Sequence, residues 1–137
     1  KKLFLIHNIV IVLLSRKEPF YEEAATLCTL ADIKLIELTV SSLTIANTSY
    51  ALLQRINANK TKAILRKLKR IIKILPLDDK IIGLDLNYEK FFDFEGGLQY
   101  FSVIENRQEI IISRSFKVFK HSKLPTLTAK QFTEAIG

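Results

Sequence analysis

The sequence has little of what marks several classes of protein. Its 137 residues include one cysteine, four glycines and three prolines. The single thiol, Cys28, cannot form an internal disulfide, which fits a reducing cytoplasm. The shortage of glycine and proline excludes long low-complexity linkers. With 48% hydrophobic and 26% charged residues, the chain is predicted to be a single globular domain over residues 1–137.

Apolar runs of membrane length are also lacking. The longest run, KKLFLIHNIVIVLL, contains twelve residues after its two lysines, even with His7 and Asn8 counted. Twelve residues are too few to span a bilayer, and no small-residue cleavage site follows in SRKEPFYEE. We therefore predict no membrane segment and no export signal. The run is interpreted as a buried strand over 2–6 that leads into a helix.

Strand-like and helix-like patterns alternate along the chain. Short apolar runs predict strands, and apolar residues at three- and four-residue spacing predict helices. The predicted strands are 2–6, 33–40, 74–77, 109–113 and 125–128. The predicted helices are 8–15, 20–32, 41–57, 59–75, 78–91, 92–107 and 129–136. This alternation predicts a three-layer α/β/α fold around a parallel sheet of four to five strands.

The net charge of +7 makes RNA a plausible class of partner. Basic residues concentrate in 59–75 and in 114–123. For the first segment, a solvated helix face is favoured over a face that tracks phosphates. Arg114, directly after a predicted strand, is the first candidate for phosphate contact, followed by Arg16 and Lys17, with Lys117 in the second basic segment.

Four segments, taken in order, resemble a known family. They are LFLIHNIVIVLLSRKEPFYEEAATL, KLIELTVSSLTIANTSYALLQ, FFDFEGGLQYFSVIEN and EIIISRSFKVFKHSKLPTLTAKQF. They resemble the PIN domain, the fold of metal-dependent ribonucleases that include the VapC-type toxins of toxin–antitoxin pairs. The resemblance implies a PIN-like fold, a homodimer and a small antitoxin-like partner protein. In active members it also implies Mg²⁺ or Mn²⁺ held by convergent carboxylates.

The acids that the family uses to hold metal are missing from this sequence. Their positions are taken by Ile6, Val12, Asn47, Gly96 and Val118. Apolar side chains are cheaper to bury than unpaired carboxylates, so the substitutions predict a pocket that has been refilled. The family resemblance, taken together with the missing acids, predicts that the protein binds no metal or other cofactor. They predict a catalytically inactive or impaired PIN-fold protein that binds RNA or a protein partner.

The alternative is a Mg²⁺- or Mn²⁺-dependent endoribonuclease with a divergent site. Four residues beside the family positions would form that residual site: Asn8, Asp93, Glu95 and Ser115. For Asp93 and Glu95 we favour a simpler interpretation, because acids are stabilised by the dipole at a helix N-terminus.

Overall fold

The apolar runs of the sequence form the strands of a parallel sheet. The computed structural model describes residues 1–15, 21–89, 93–114 and 122–136. Within these ranges the chain forms five strands, which are β1 (Lys2–Leu5), β2 (Glu37–Ser41), β3 (Ile72–Leu75), β4 (Ile110–Ile112) and β5 (Thr126–Leu127). They pair in the order β3-β2-β1-β4-β5, and every neighbouring pair is parallel. The predicted sheet is confirmed.

Helices follow the strands where the three- and four-residue spacing predicts them. The described ranges contain seven helices, which are α1 (His7–Ser15), α2 (Tyr21–Asp32), α3 (Ser42–Leu53), α4 (Ala58–Ile71), α5 (Asp79–Leu86), α6 (Phe94–Glu105) and α7 (Ala129–Ile136). Polar caps begin several of them. The Ser41 hydroxyl accepts a hydrogen bond from the Thr44 amide at the start of α3, and the Asp78 carboxylate accepts one from the Ile81 amide at the start of α5.

Helices cover both faces of the sheet. Successive residues of a strand point to opposite faces. Leu3 and Leu5 of β1 pack in a core cluster with residues of α1, α2, α4 and α7. Phe4, between them, packs in a second cluster with Tyr100 and Val103 of α6. The predicted three-layer α/β/α architecture is confirmed.

Two predicted strand boundaries were wrong. The edge strand predicted at 74–77 is β3 (Ile72–Leu75), so α4 stops at Ile71 and Pro76 lies just beyond the strand. The isoleucines of this region fit helical spacing, but their branched side chains favour a strand. The strand predicted to begin at residue 33 begins at Glu37. Lys34 ends α2 with a φ of 63°, which stops the chain from entering the sheet earlier.

The topology selects one edge of the sheet as the place for a site. β1 lies between β2 and β4, so the order of the strands reverses at β1. Ligands of parallel α/β sheets bind beyond the carboxyl ends of the strands at such a reversal. Ile6 and Ser113 follow β1 and β4 directly at this edge. None of the described helices is both long and apolar enough to cross a membrane.

Candidate functional site

Ile6 places an apolar side chain at the carboxyl end of β1. Its amide donates to the Ile112 carbonyl at 3.1 Å, and its carbonyl accepts from the Ile9 amide at 3.0 Å where α1 begins. The half-buried side chain packs against the cluster that contains Phe4, Tyr100 and Ile111. The position that the family resemblance assigns to an acid therefore contributes to apolar packing.

Asn47 and Glu95, which are 48 residues apart in the sequence, are joined directly. Asn47 Nδ2 on α3 donates to Glu95 Oε1 in the first turn of α6 at 2.8 Å. Asn47 is one of the residues at positions that the family resemblance assigns to acids. An amide donor at that position attracts the Glu95 carboxylate, whereas a second carboxylate would repel it unless a cation lay between them. The hydrogen bond therefore joins α3 directly to the first turn of α6.

Asp93 begins α6 as its N-cap. Its Oδ1 accepts from the Glu95 amide at 3.1 Å, and Glu95 lies in the first helical turn. The interpretation of these two acids as helix N-terminal residues agrees with this geometry. Gly96, at the family's next acid position, follows them and is buried.

Asp85, at the end of α5, was missed by sequence reasoning. Its side chain is 5% exposed, and within the described residues its Oδ2 has no hydrogen-bond partner. Burial, and then the nearby Asp93 carboxylate, raise the pKa of Asp85 above its ordinary value. Asp85 lies against Gly97, where a β-carbon would overlap its Oδ1. The two adjacent glycines at the start of a helix were the signal that another group approaches the backbone there.

Neutral polar groups form a second connection between α3 and α6. Gln99 Nε2 donates to Thr44 Oγ1 at 3.3 Å, and the Thr44 amide donates to Ser41 Oγ at 3.2 Å. In the described part of the chain, Gln99 Oε1 and Thr48 Oγ1 are buried without a partner. Hydroxyl and amide groups cost less to bury than carboxylates, but they bring none of the negative charge that a divalent cation needs.

The described residues do not fit the divalent metal that the resemblance implies. Among residues 1–15, 21–89, 93–114 and 122–136, no three His, Cys, Asp or Glu side chains are placed to hold an ion. The three acids described above are Asp85, Asp93 and Glu95. Of these, Asp93 is engaged as a helix cap and Glu95 accepts from Asn47.

The structure describes three of the remaining candidate residues. Asn8 and Val12 belong to α1, and Arg114 is exposed two residues after the end of β4. Five further candidates lie outside the described residues: Arg16, Lys17, Ser115, Lys117 and Val118.

Solved structures share this architecture, although no family model matches the sequence and no curated protein matches it either. One is VapBC2 from Rickettsia felis bound to a DNA fragment from its promoter, with a TM-score of 0.65 and 17% identity, covering 90% of this chain and 96% of that one. A second is FitAcB from Neisseria gonorrhoeae, with a TM-score of 0.69 and 14% identity, covering 93% and 98%.

A third is Mycobacterium tuberculosis VapC20, described as a toxin that cleaves the sarcin–ricin loop. Its TM-score is 0.66 at 10% identity, and the match covers 88% of this chain and 95% of that one. These matches extend over nearly the whole of each chain. The protein therefore has the fold of the PIN-domain toxins.

Proposed function

We propose that this chain is a catalytically inactive PIN-fold protein that acts by binding, with RNA as its first partner class. One observation carries the proposal. Ile6 packs into an apolar cluster at the strand end where a metal-holding acid would be needed. The Asn47–Glu95 hydrogen bond supports it, because it occupies the best remaining carboxylate with an amide. Without convergent carboxylates, a divalent ion has no ligand set of the kind it prefers.

The net charge of +7 favours RNA as the bound partner, since binding at phosphates is driven by the release of counterions. We propose that Arg114, together with Arg16, Lys17 and Lys117, contacts the phosphates near the carboxyl edge. The exposure of Arg114, two residues after the end of β4, supports its inclusion. We place this function in the cytoplasm, where a lone thiol stays reduced.

In a second form of the binding proposal, the chain binds a protein partner. Several of the solved neighbours are complexes such as VapBC-1 from Haemophilus influenzae. In this chain, α3 exposes Tyr50 and Leu53, and α5 exposes Ile82, Leu84 and Leu86. Large exposed apolar side chains favour association with another chain. An antitoxin-like protein or a second copy in a homodimer would cover them.

In the deciding experiment, the purified protein is incubated with labelled RNA in the presence of MnCl₂, MgCl₂ or EDTA. We expect no cleavage under any of these conditions and a shifted RNA band whose intensity falls as salt rises. Cleavage that requires Mn²⁺ and stops with EDTA would overturn the proposal. A protein that neither cuts nor shifts RNA, yet elutes as a dimer or copurifies with a small protein, would support the protein-partner form instead.

A divergent Mg²⁺- or Mn²⁺-dependent endoribonuclease remains the second candidate function. The observation that favours it is Asp85, which brings an unpartnered buried oxygen toward Asp93 in the described part of the chain. If these acids bind Mn²⁺, the ion will raise the unfolding temperature of the wild type. Asp85→Asn would then abolish both that shift and the cleavage.

A further inference from the structure

A cleft of about 660 Å³ lies at the opposite edge of the sheet from the candidate site. Its wall includes the first residues of three neighbouring strands, Lys2 of β1, Glu37 of β2 and Ile72 of β3. The carboxyl edge with Ile6 is therefore at the far end of the same strands. Nothing in the PIN-like site described above uses this cleft.

The cleft is strongly basic. Of the fourteen residues that line it, six are Lys or Arg and two are Glu. The basic residues come from separate parts of the sequence, and they are Lys1, Lys2, Lys34, Lys69, Arg70 and Lys73. Folding thus concentrates a positive potential that no single basic segment of the sequence predicts.

The two acids of the cleft neutralise little of that charge. Glu37 is 4.0 Å from Lys73 Nζ, at the limit of an ion pair, and Glu109 Oε1 accepts a hydrogen bond from the backbone amide of Lys2 at 3.2 Å. Within the described ranges, no carboxylate lies within 4.0 Å of the charged groups of Lys34, Lys69 or Arg70. These three cations face solvent and remain available to an anion.

Stabilisation of the helix accounts for only part of this cluster. Lys69 and Arg70 lie in the last turn of α4, where cations interact favourably with the helix dipole. Lys2 and Lys73 lie on strands, so they gain nothing from that effect. The backbone conformation of Lys34 is unfavourable for a lysine, since its φ of 63° suits glycine better than a residue with a β-carbon.

The chemistry of the lining also restricts the ligand. The described residues that line the cleft carry no aromatic ring, amide or hydroxyl side chain. Bases are recognised by stacking and by paired hydrogen bonds, which these residues do not offer. Cations alone contact phosphates and read no sequence.

We propose that this cleft at the amino-terminal edge of the sheet binds a nucleic-acid phosphodiester backbone without reading its bases. The inference rests on the proposed RNA-binding function and deepens it, by adding to the contacts proposed at the carboxyl edge a second set at the opposite edge, Lys34, Lys69 and Arg70. The same chemistry would accept a DNA backbone, so both polymers are tested.

The experiment measures binding of labelled oligouridine and labelled oligothymidine by fluorescence anisotropy over a range of salt concentrations. Lys69→Gln/Arg70→Gln removes two cations from the cleft. The control, Lys62→Gln/Arg66→Gln, removes one Lys and one Arg from exposed positions of the same helix outside the cleft. We expect the cleft variant to bind about tenfold more weakly. The magnitude of its slope of log affinity against log salt should fall by about 1.4, since each phosphate contact on a single strand contributes about 0.7, while the control stays close to wild type.

Lys34→Gly separates binding from folding. Glycine relieves the positive φ, so the unfolding temperature should rise while the affinity for RNA falls. A merely structural lysine would leave the affinity unchanged.

The outcomes distinguish this inference from the proposed function. If the wild type binds neither polymer, RNA binding itself fails and the cleft assignment fails with it. If the wild type binds but the two double variants weaken equally, RNA binding stands and only the cleft assignment is overturned. If the cleft binds oligouridine more tightly than oligothymidine, its ligand is an RNA backbone. If it binds both equally, its ligand is the phosphodiester backbone that RNA and DNA share.

Discussion

The carboxylate of Asp85 occupies the space in which a side chain at position 97 would lie. A β-carbon on Gly97 would overlap Asp85 Oδ1, and Asp85 is 5% exposed. The contact joins the end of α5 to the first turns of α6, next to the Asp93 cap. The glycine thus allows an acid from another helix to approach the α6 backbone.

Gly97→Ala should destabilise the protein, because Asp85 has a short side chain with little room to move. The methyl group improves helix propensity, by up to about 1 kcal/mol. Overpacking of a buried site costs more, so we expect a net loss of about 1 to 2 kcal/mol in unfolding free energy. Urea denaturation followed by circular dichroism measures it.

Gly83→Ala is the matched control, since no atom lies within 4 Å of a β-carbon at that position. This substitution in α5 should stabilise the protein by about 0.5 to 1 kcal/mol. In an Asp85→Ala background, Gly97→Ala should no longer destabilise. Persistent destabilisation in that background would mean that the overlap with Asp85 is not the cause.

Asp85→Asn should change how stability depends on pH. The pKa of Asp85 is raised in the folded protein by burial and by Asp93. As the pH rises, Asp85 loses its proton at a lower pH in the unfolded chain than in the folded protein. The stability of the folded protein therefore falls as the pH rises from the ordinary pKa to the raised pKa, and the loss persists at all higher pH. The variant should therefore gain stability over wild type as the pH rises above the ordinary aspartate pKa of 3.8 towards the raised pKa, and it should keep the gain at neutral pH.

Chemical denaturation at several pH values, with Asp79→Asn as an exposed control on the same helix, measures this difference. A gain that is the same at low and neutral pH would show that the ionisation of Asp85 does not contribute.

Local patterns were sufficient to predict the elements and the fold class. The alternation of apolar runs with amphipathic segments predicted a parallel sheet covered on both faces, and serine and aspartate marked the helix starts at Ser41 and Asp78. The predicted boundaries of β3 were wrong, because isoleucine occurs both in helices and in buried strands. The spacing of isoleucines in the sequence does not distinguish the two structures.

The candidate site was less accessible to sequence reasoning because its contacts join distant segments. The substituted positions Ile6, Asn47 and Gly96 were named from the family resemblance. That Asn47 pairs with Glu95, across 48 residues, depends on how α3 and α6 pack. Asp85 was missed because an acid in a short helix is expected to face solvent, and only the packing of α5 on α6 buries it.

Cys28 should react slowly with thiol reagents in the folded protein. It lies on α2 and packs against the core cluster, and burial raises the pKa of its thiol to about 11. At neutral pH less than about 1% of it is the reactive thiolate. The rate of reaction with Ellman's reagent should rise sharply when urea unfolds the chain.

An exposed cysteine on the same helix provides the comparison. Thr29→Cys in a Cys28→Ala background places a thiol at an exposed position and should react at the rate of a free cysteine. Equal rates for the two folded proteins would contradict the burial of Cys28.

Placing acids at the positions that the family resemblance assigns to them should create a site for Mn²⁺. Ile6→Asp alone should cost about 1 to 3 kcal/mol, because it places a carboxyl group against the apolar cluster around Phe4 and Tyr100. In the triple variant Ile6→Asp, Asn47→Glu, Gly96→Asp, we expect the three acids to lie close enough to repel one another. Mn²⁺ relieves that repulsion, so it should raise the unfolding temperature of the triple variant by several degrees.

The amide triple Ile6→Asn, Asn47→Gln, Gly96→Asn has nearly the same shape without the charge, and Mn²⁺ should leave its unfolding temperature unchanged. The comparison depends on charge alone, since both triples disturb the packing around Ile6 in the same way. An equal shift in the wild type would mean that Asp85, Asp93 and Glu95 already hold the ion, and the chain would then have moved its metal site instead of losing it.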